Sequence, residues 1–204
     1  MMKKLMTCKT FLAGAAAAAA VFFLPAPSPA TTLLKLSIEK MSVEADAVIT
    51  GEVTGVQSAW RSDQTTIDTT TTVKVAECIA GPCTDEMKLM HRGGTVGDNA
   101  LYIPGMPQFK QGQNVLLFLR KDPEGRQGVW AVFGMCQGMF VIEKDAKDGK
   151  LYAQQQGGAA LAEPDKSGTI KTLPAQEPLR IPLKNLVKKI KKARELTSYS
   201  KEKK

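Results

Sequence analysis

The sequence predicts an all-β domain, a small barrel or sandwich, with flanking helices. Three observations carry that prediction. Short runs rich in β-branched and aromatic residues recur at intervals of about ten residues through positions 45–155. Glycine, proline or aspartate closes these runs, as turns require. No amphipathic stretch of helix length separates them, which argues against a parallel α/β sheet with crossover helices.

Before the domain comes a segment of a different kind. Lys3, Lys4 and Lys9 form a basic start, residues 11–24 an alanine-rich apolar run, and Pro25 ends it. Ser28-Pro29-Ala30 then supplies the small residues of a cleavage site, so residues 1–30 read as a secretory signal peptide. The run is too short for a membrane-spanning helix, which needs roughly 20 residues. The expected mature chain starts at Thr31, in the periplasm or outside the cell, and is long enough to bury one sizeable core.

The formal net charge of +8 is unevenly spread. The signal carries three lysines and no acid, and from Lys184 onward nine Lys or Arg residues face only Glu195 and Glu202. Residues 31–183 are left slightly acidic. The basicity belongs to a tail, so nucleic acid is not an expected partner of the domain.

Taken in order, residues 33–43 (LLKLSIEKMSV) place Leu34, Ile38 and Met41 at helical spacing and predict a short amphipathic helix. Residues 48–56 form the first strand, 60–66 a polar loop, and 67–77 a second strand. That second strand alternates Ile67, Thr69, Thr71, Val73 and Val75 on one face. Gly81-Pro82 marks a turn and residues 87–90 a third strand. A glycine-rich loop at 92–97 leads to a strand at 100–103 and a turn at 104–107. Residues 114–119 (NVLLFL) are the most apolar run and predict a central strand. Asp122-Pro-Glu-Gly125 is a turn. Strands follow at 129–133, 139–143 and 151–154, the last two joined as a hairpin through 145–149. The barrel domain is therefore assigned to residues 31–156. Residues 157–182, poor in large apolar side chains, read as a flexible surface connection. Residues 183–204 form a basic amphipathic helix and tail, with Leu183, Leu186, Val187 and Ile190 on one stripe.

Chemistry-bearing residues are few. Export permits a disulfide, and Cys78 and Cys83 flank a four-residue turn that brings them within bridging range. Pairing of either with Cys136 is the competing connectivity. A Cys₃His zinc set of Cys78, Cys83, Cys136 and His91 has the right count, but its C-x₄-C spacing is loose. A nucleophilic pair of Cys136 with His91, the single histidine, has no supporting motif, and P-loop, HExxH and GxSxG signatures are missing. The sequence thus predicts no enzyme, no metal and no cofactor. A binding site, if present, is expected where the two glycine-rich loops meet, with His91, Arg92 and Gln137 as its polar groups. The tail has two readings. Its apolar stripe docks on the barrel with the lysines in water, or Lys188, Lys189, Lys191, Lys192 and Arg194 hold the helix to an anionic envelope polymer or lipid surface.

Residues 46–53 (DAVITGEV), the threonine-rich strand 69–75, Arg92-Gly-Gly, residues 106–119 (MPQFKQGQNVLLFL) and Gln137-Gly-Met-Phe140 resemble a group of exported bacterial β-rich proteins with no settled activity. More distantly, the opening strand and the LLFL strand are similar to the netrin-like modules of tissue inhibitors of metalloproteinases. That similarity implies an OB-like five-stranded barrel. Those inhibitors place an N-terminal cysteine on the protease zinc, whereas the expected mature start here, Thr31-Thr-Leu-Leu, has none, so the inhibitory mechanism does not carry over. The expectation is a monomeric, non-catalytic binding or accessory module that recognises another protein.

Overall fold

A computed structural model of the chain describes residues 32–174 and 177–202; the expected signal peptide lies outside them. The elements in order are β1 (Thr32–Leu34), α1 (Ile38–Glu44), β2 (Ala47–Trp60), β3 (Ile67–Ala80), β4 (Glu86–Arg92), β5 (Gly94–Val96) and β6 (Asn99–Leu101). There follow β7 (Asn114–Lys121), β8 (Val129–Val132), a 3₁₀ turn (Met135–Gly138), β9 (Met139–Lys144) and β10 (Leu151–Gln155). Last come β11 (Ala160–Pro164), β12 (Ile170–Thr172), β13 (Arg180–Pro182) and α2 (Leu183–Glu202). The fold is all-β with flanking helices, as the sequence predicts.

Five strands close into a ring. β2 pairs antiparallel with β3, β3 with β4, and β7 with β2, while β8 pairs parallel with β4 and antiparallel with β7. Closing a ring needs a strand that bends, and β2 shifts register against β3 at three places. Gly51 sits at one of them, where a Cβ would collide with the Lys74 carbonyl oxygen. The edge of β7 not used by β2 is shared between β8 and β9. Gly134 and Met135, both at positive φ (75° and 58°), break the chain between these two partners. Beyond the break β9, β10 and β13 extend as an antiparallel wing.

Two cores result from the period-two alternation of β2 and β7. Inside the ring pack Ala47, Ile49, Val53, Val73, Met87 and Leu89 with Val115, Leu117 and Leu119. The opposite faces, Val48, Leu116 and Phe118, pack with Phe140 under α1 and α2. β7 is buried on both faces, which explains its unbroken apolar run. Helix α1 starts at Ser37, whose side chain accepts the Lys40 N–H (3.1 Å). The structure therefore corrects the expected helix at 33–43. Leu33 and Leu34 lie in β1, whose parallel pairing with β11 supplies the hydrogen bonds a helix would have used.

Residues 157–182, expected as a flexible surface connection, hold three short strands among their described positions. They carry β11, β12 and β13, paired with β1, with each other and with β10. Main-chain pairing holds these three strands, whose side chains have little to bury. The apolar stripe of α2 docks on the sheet and α1. Leu186 and Ile190 are fully buried, Lys189 pairs with Glu39 (2.9 Å) and Lys191 with Glu77 (3.3 Å). Among the described residues no helix is long and apolar enough to cross a membrane.

Cys78 and Cys83 form the expected disulfide, at the end of β3. Replacing both by alanine should lower stability by about 2 kcal/mol, the chain-entropy value for so small a loop, in urea unfolding. Leu186→Ala should cost about 2–5 kcal/mol in the same measurement, because the side chain is enclosed between helix and sheet.

Candidate functional site

At one end of the ring β3 begins, β4 ends and β7 turns into β8. The antiparallel register sets Asp68 opposite Arg92 and Thr69 opposite His91. Met90, His91 and Arg92 thereby meet the 122–126 turn, the turn around Met106-Pro107, and Met135. Together they line a cleft of about 390 Å³.

One wall is charged and internally tied. The Asp122 side chain, 1% exposed, accepts from Arg126 Nε (2.7 Å), Arg126 Nη2 (2.9 Å) and the Arg126 main-chain N–H (3.0 Å). This is a fork-to-fork pair, the strongest geometry for a carboxylate and a guanidinium. Arg126 Nη1 also lies 3.4 Å from Glu124 and 4.0 Å from Asp68. Arg61 bridges Glu124 and Asp68, and Arg92 reaches Glu124 at 3.7 Å. The Arg126 guanidinium holds the Asp122 carboxyl below its ordinary range, and Asp122 raises the affinity of Arg126 for its proton.

The other wall is apolar and soft. It consists of Met90, Met106 and Met135, with proline and alanine carbons and the His91 ring. His91 Nδ1 lies 3.1 Å from the Arg92 carbonyl oxygen, and its ring packs on Phe109 with centroids 5.9 Å apart. A carbonyl only accepts, so Nδ1 carries the proton and Nε2 a bare lone pair. Nε2 is enclosed and has no hydrogen-bond partner among the described residues. Burial pushes the imidazole below its ordinary pKa, and the Arg92 carbonyl and Asp68 offset this only in part. Met135 is one of two described non-glycine residues at positive φ, an uncommon conformation for a residue with a Cβ. At Gly138 a Cβ would collide with the Phe133 carbonyl oxygen.

The structure brings together only part of the expected site. His91 and Arg92 line the cleft; Gln137 does not. Its Oε1 accepts from the Leu36 N–H (2.8 Å) and its Nε2 donates to the Leu34 carbonyl (3.0 Å). Gln137 is a buried tie between the β1–α1 connection and the 3₁₀ turn, because it is the one polar side chain there that satisfies both main-chain groups. The disulfide removes Cys136 from pairing and dismantles the Cys₃His set. Cys136 itself is buried, and burial raises its pKa, the opposite of what a nucleophile needs. Among the described residues no three His, Cys, Asp or Glu side chains are grouped to hold a metal. Of the basic tail, Lys188, Lys189, Lys191 and Lys192 are all exposed, Lys189 and Lys191 in ion pairs with Glu39 and Glu77. Arg194 is not a free surface cation. It donates to the Ala45 carbonyl (2.5 Å) and is half-buried beside α1.

Sequence reasoning missed Asp68, Asp122, Glu124 and Arg126. The Asp122–Arg126 spacing across a Pro-Glu-Gly turn was the available signal, since such a turn folds i onto i+4. The three methionines have no periodic signature and come together only in three dimensions. A second, more open groove of about 440 Å³ between Val43 of α1 and residues 194–198 of α2 has no comparable set of oriented groups. The chain matches no known family model and no curated protein, so the site rests on its geometry.

The single histidine generates a pH dependence. Its folded pKa is depressed, so as the pH falls below about 6.5 the unfolded chain takes up a proton that the folded protein refuses. Stability should drop through that window, above the range where carboxylates titrate. In His91→Leu the drop between pH 7 and pH 5 should disappear from urea unfolding curves.

Proposed function

We propose that the protein is an exported, non-catalytic binding module that recognises another protein through the cleft at the end of its barrel. The observation that carries this reading is the cleft itself. An apolar floor stands beside a wall of charges already fixed by their own ion pairs, so little ordering entropy is lost when a partner docks. The five-strand ring, with its one parallel pair between β4 and β8, supports an OB-like barrel and the distant netrin-like relationship. The disulfide and the signal architecture support export. The buried, high-pKa Cys136 and the unmatched His91 support a non-catalytic role.

Attachment to an anionic envelope polymer or lipid is the second reading, and one observation favours it. Lys184, Lys188 and Lys192 form an exposed row one helical turn apart along α2. The apolar stripe of that helix is spent on the core, so any such attachment is electrostatic and salt-sensitive.

Capture of envelope and secreted material on immobilised residues 31–204 separates the two. The binding module predicts a protein retained at moderate salt, lost with Met106→Glu, and kept when Lys184, Lys188 and Lys192 become glutamine. Loss on adding salt or on the lysine changes, with Met106→Glu silent, would assign the activity to the helix. Deleting α2 would be a poor test, because Leu186 and Ile190 belong to the core.

A further inference from the structure

We infer that the cleft takes its partner by strand addition: an extended, uncharged segment of the partner protein pairs with the edge of β4 that β8 leaves open beyond Leu89. The inference rests on the reading of this cleft as a protein-binding site and names the form of the segment that enters it.

The ring is closed by a short ladder. β4 and β8 share two paired positions, Lys88 with Val129 and Leu89 with Trp130, although β4 runs on to Arg92 and β8 to Val132. The residues past that ladder, Met90 to Arg92 on one strand and Ala131 and Val132 on the other, line the cleft. The cleft lies where two neighbouring strands of the ring separate.

Register shows which main-chain groups turn into it. In an antiparallel pair, alternate residues direct their N–H and C=O to the partner strand and the others direct them away. The Gly93 N–H donates to the Ile67 carbonyl (2.8 Å), so the odd-numbered residues of β4 bond β3, and Met90 and Arg92 look toward β8. The Phe133 N–H donates to the Phe118 carbonyl (2.8 Å), so Ala131 bonds β7 and Val132 looks toward β4. One more step of the ladder would join the Val132 N–H to the Met90 carbonyl, but the pairing stops before it. The Arg92 carbonyl accepts from His91 Nδ1. Among the described residues, the Arg92 N–H, the Met90 carbonyl and both main-chain groups of Val132 therefore have no strand to pair with. Such an edge is a template for another strand. An extended peptide satisfies it with main-chain bonds while every second side chain enters a pocket.

Charge and lining fix the kind of segment. Asp68, Asp122 and Glu124 are matched by Arg61, Arg92 and Arg126. A charged segment would lose its hydration there without a free counter-charge, so an uncharged one is favoured. Met90, Met106 and Met135 supply adaptable apolar surface for its side chains. At about 390 Å³ the cleft suits a short segment and not the face of a folded domain.

The test selects phage-displayed random linear peptides on residues 31–204 and synthesises those retained. They should slow hydrogen exchange at the Arg92 and Val132 amides. N-methylation of alternate peptide nitrogens should abolish binding in one phase of the alternation and spare it in the other. Arg92→Pro removes an N–H that does not bond β3, so the ladder tolerates it. Checked for a cooperative melt, it should weaken the peptides by roughly tenfold more than Arg92→Ala does. Recovery of no binding peptide, peptides that protect other surfaces, or equal binding in both methylation phases would overturn the inference. Protection of the same two amides by raised protein concentration alone would assign the edge to a second copy of this chain and overturn it as well. A captured protein lost with Met106→Glu but indifferent to Arg92→Pro would overturn strand addition and leave the binding-module reading in place. Peptide pairing at the edge with no protein captured would do the reverse.

Discussion

A β-strand has two edges, and one edge of β7 serves two partners. β8 pairs beside Leu119–Lys121 and β9 beside Val115–Leu117, with the Phe133 N–H reaching the Phe118 carbonyl (2.8 Å) between them. Had β8 and β9 continued as one straight strand, the sheet would have stayed open. The two left-handed residues at 134 and 135 let the first half curl toward β4 and close the ring, while the second half departs into the wing. Ring, wing and the double burial of β7 all follow from that break.

The same break forms one side of the candidate site. A residue forced out of the ladder has no neighbour across the sheet, and the Met135 side chain is free to face the cleft instead. The opposite side is braced by the Asp122–Arg126 pair, which holds the β7–β8 turn in a single shape. Binding groups on loops need such bracing, because loops alone are mobile. The cleft is therefore built from irregular segments whose positions are fixed by regular ones.

What the sequence made legible was whatever is local. The alternation of Ile67 to Val75, the apolar run 114–119, the turn at Asp122 to Gly125 and the stripe from Leu183 to Ile190 each imply their element from a few neighbouring residues. The Cys78–Cys83 bridge was readable for the same reason. What stayed hidden depends on distant partners. Leu33 and Leu34 look helical until β11 is alongside them, and the strands at 160–164 and 180–182 fall in a stretch that reads as a flexible connection until β1 and β10 supply hydrogen bonds. Gln137 sits in a glycine-rich stretch that reads as part of a binding loop, and only the arrival of Leu34 and Leu36 shows it to be an interior tie. His91 and Arg92 were found because a lone histidine next to an arginine draws notice. The methionines beside them were not, because apolar residues draw notice only through periodicity.

The pairing of β1 with β11, and of α1 with α2, places the two ends of the domain against each other. Thr32 lies beside Ala160, and Met41 shares a core with Leu186 and Ile190. A chain made from its N-terminus onward therefore presents β1 and the apolar face of α1 long before their covers exist. The ring of β2 to β8 has all its strands by residue 132, so it is complete first. The outer layer must wait for the last residues, a delay set by contacts of high sequence separation. During that wait the outward side chains of Val48, Leu116 and Phe118 are exposed to solvent. This interval, more than any feature of the finished molecule, is where the nascent chain is most prone to self-association.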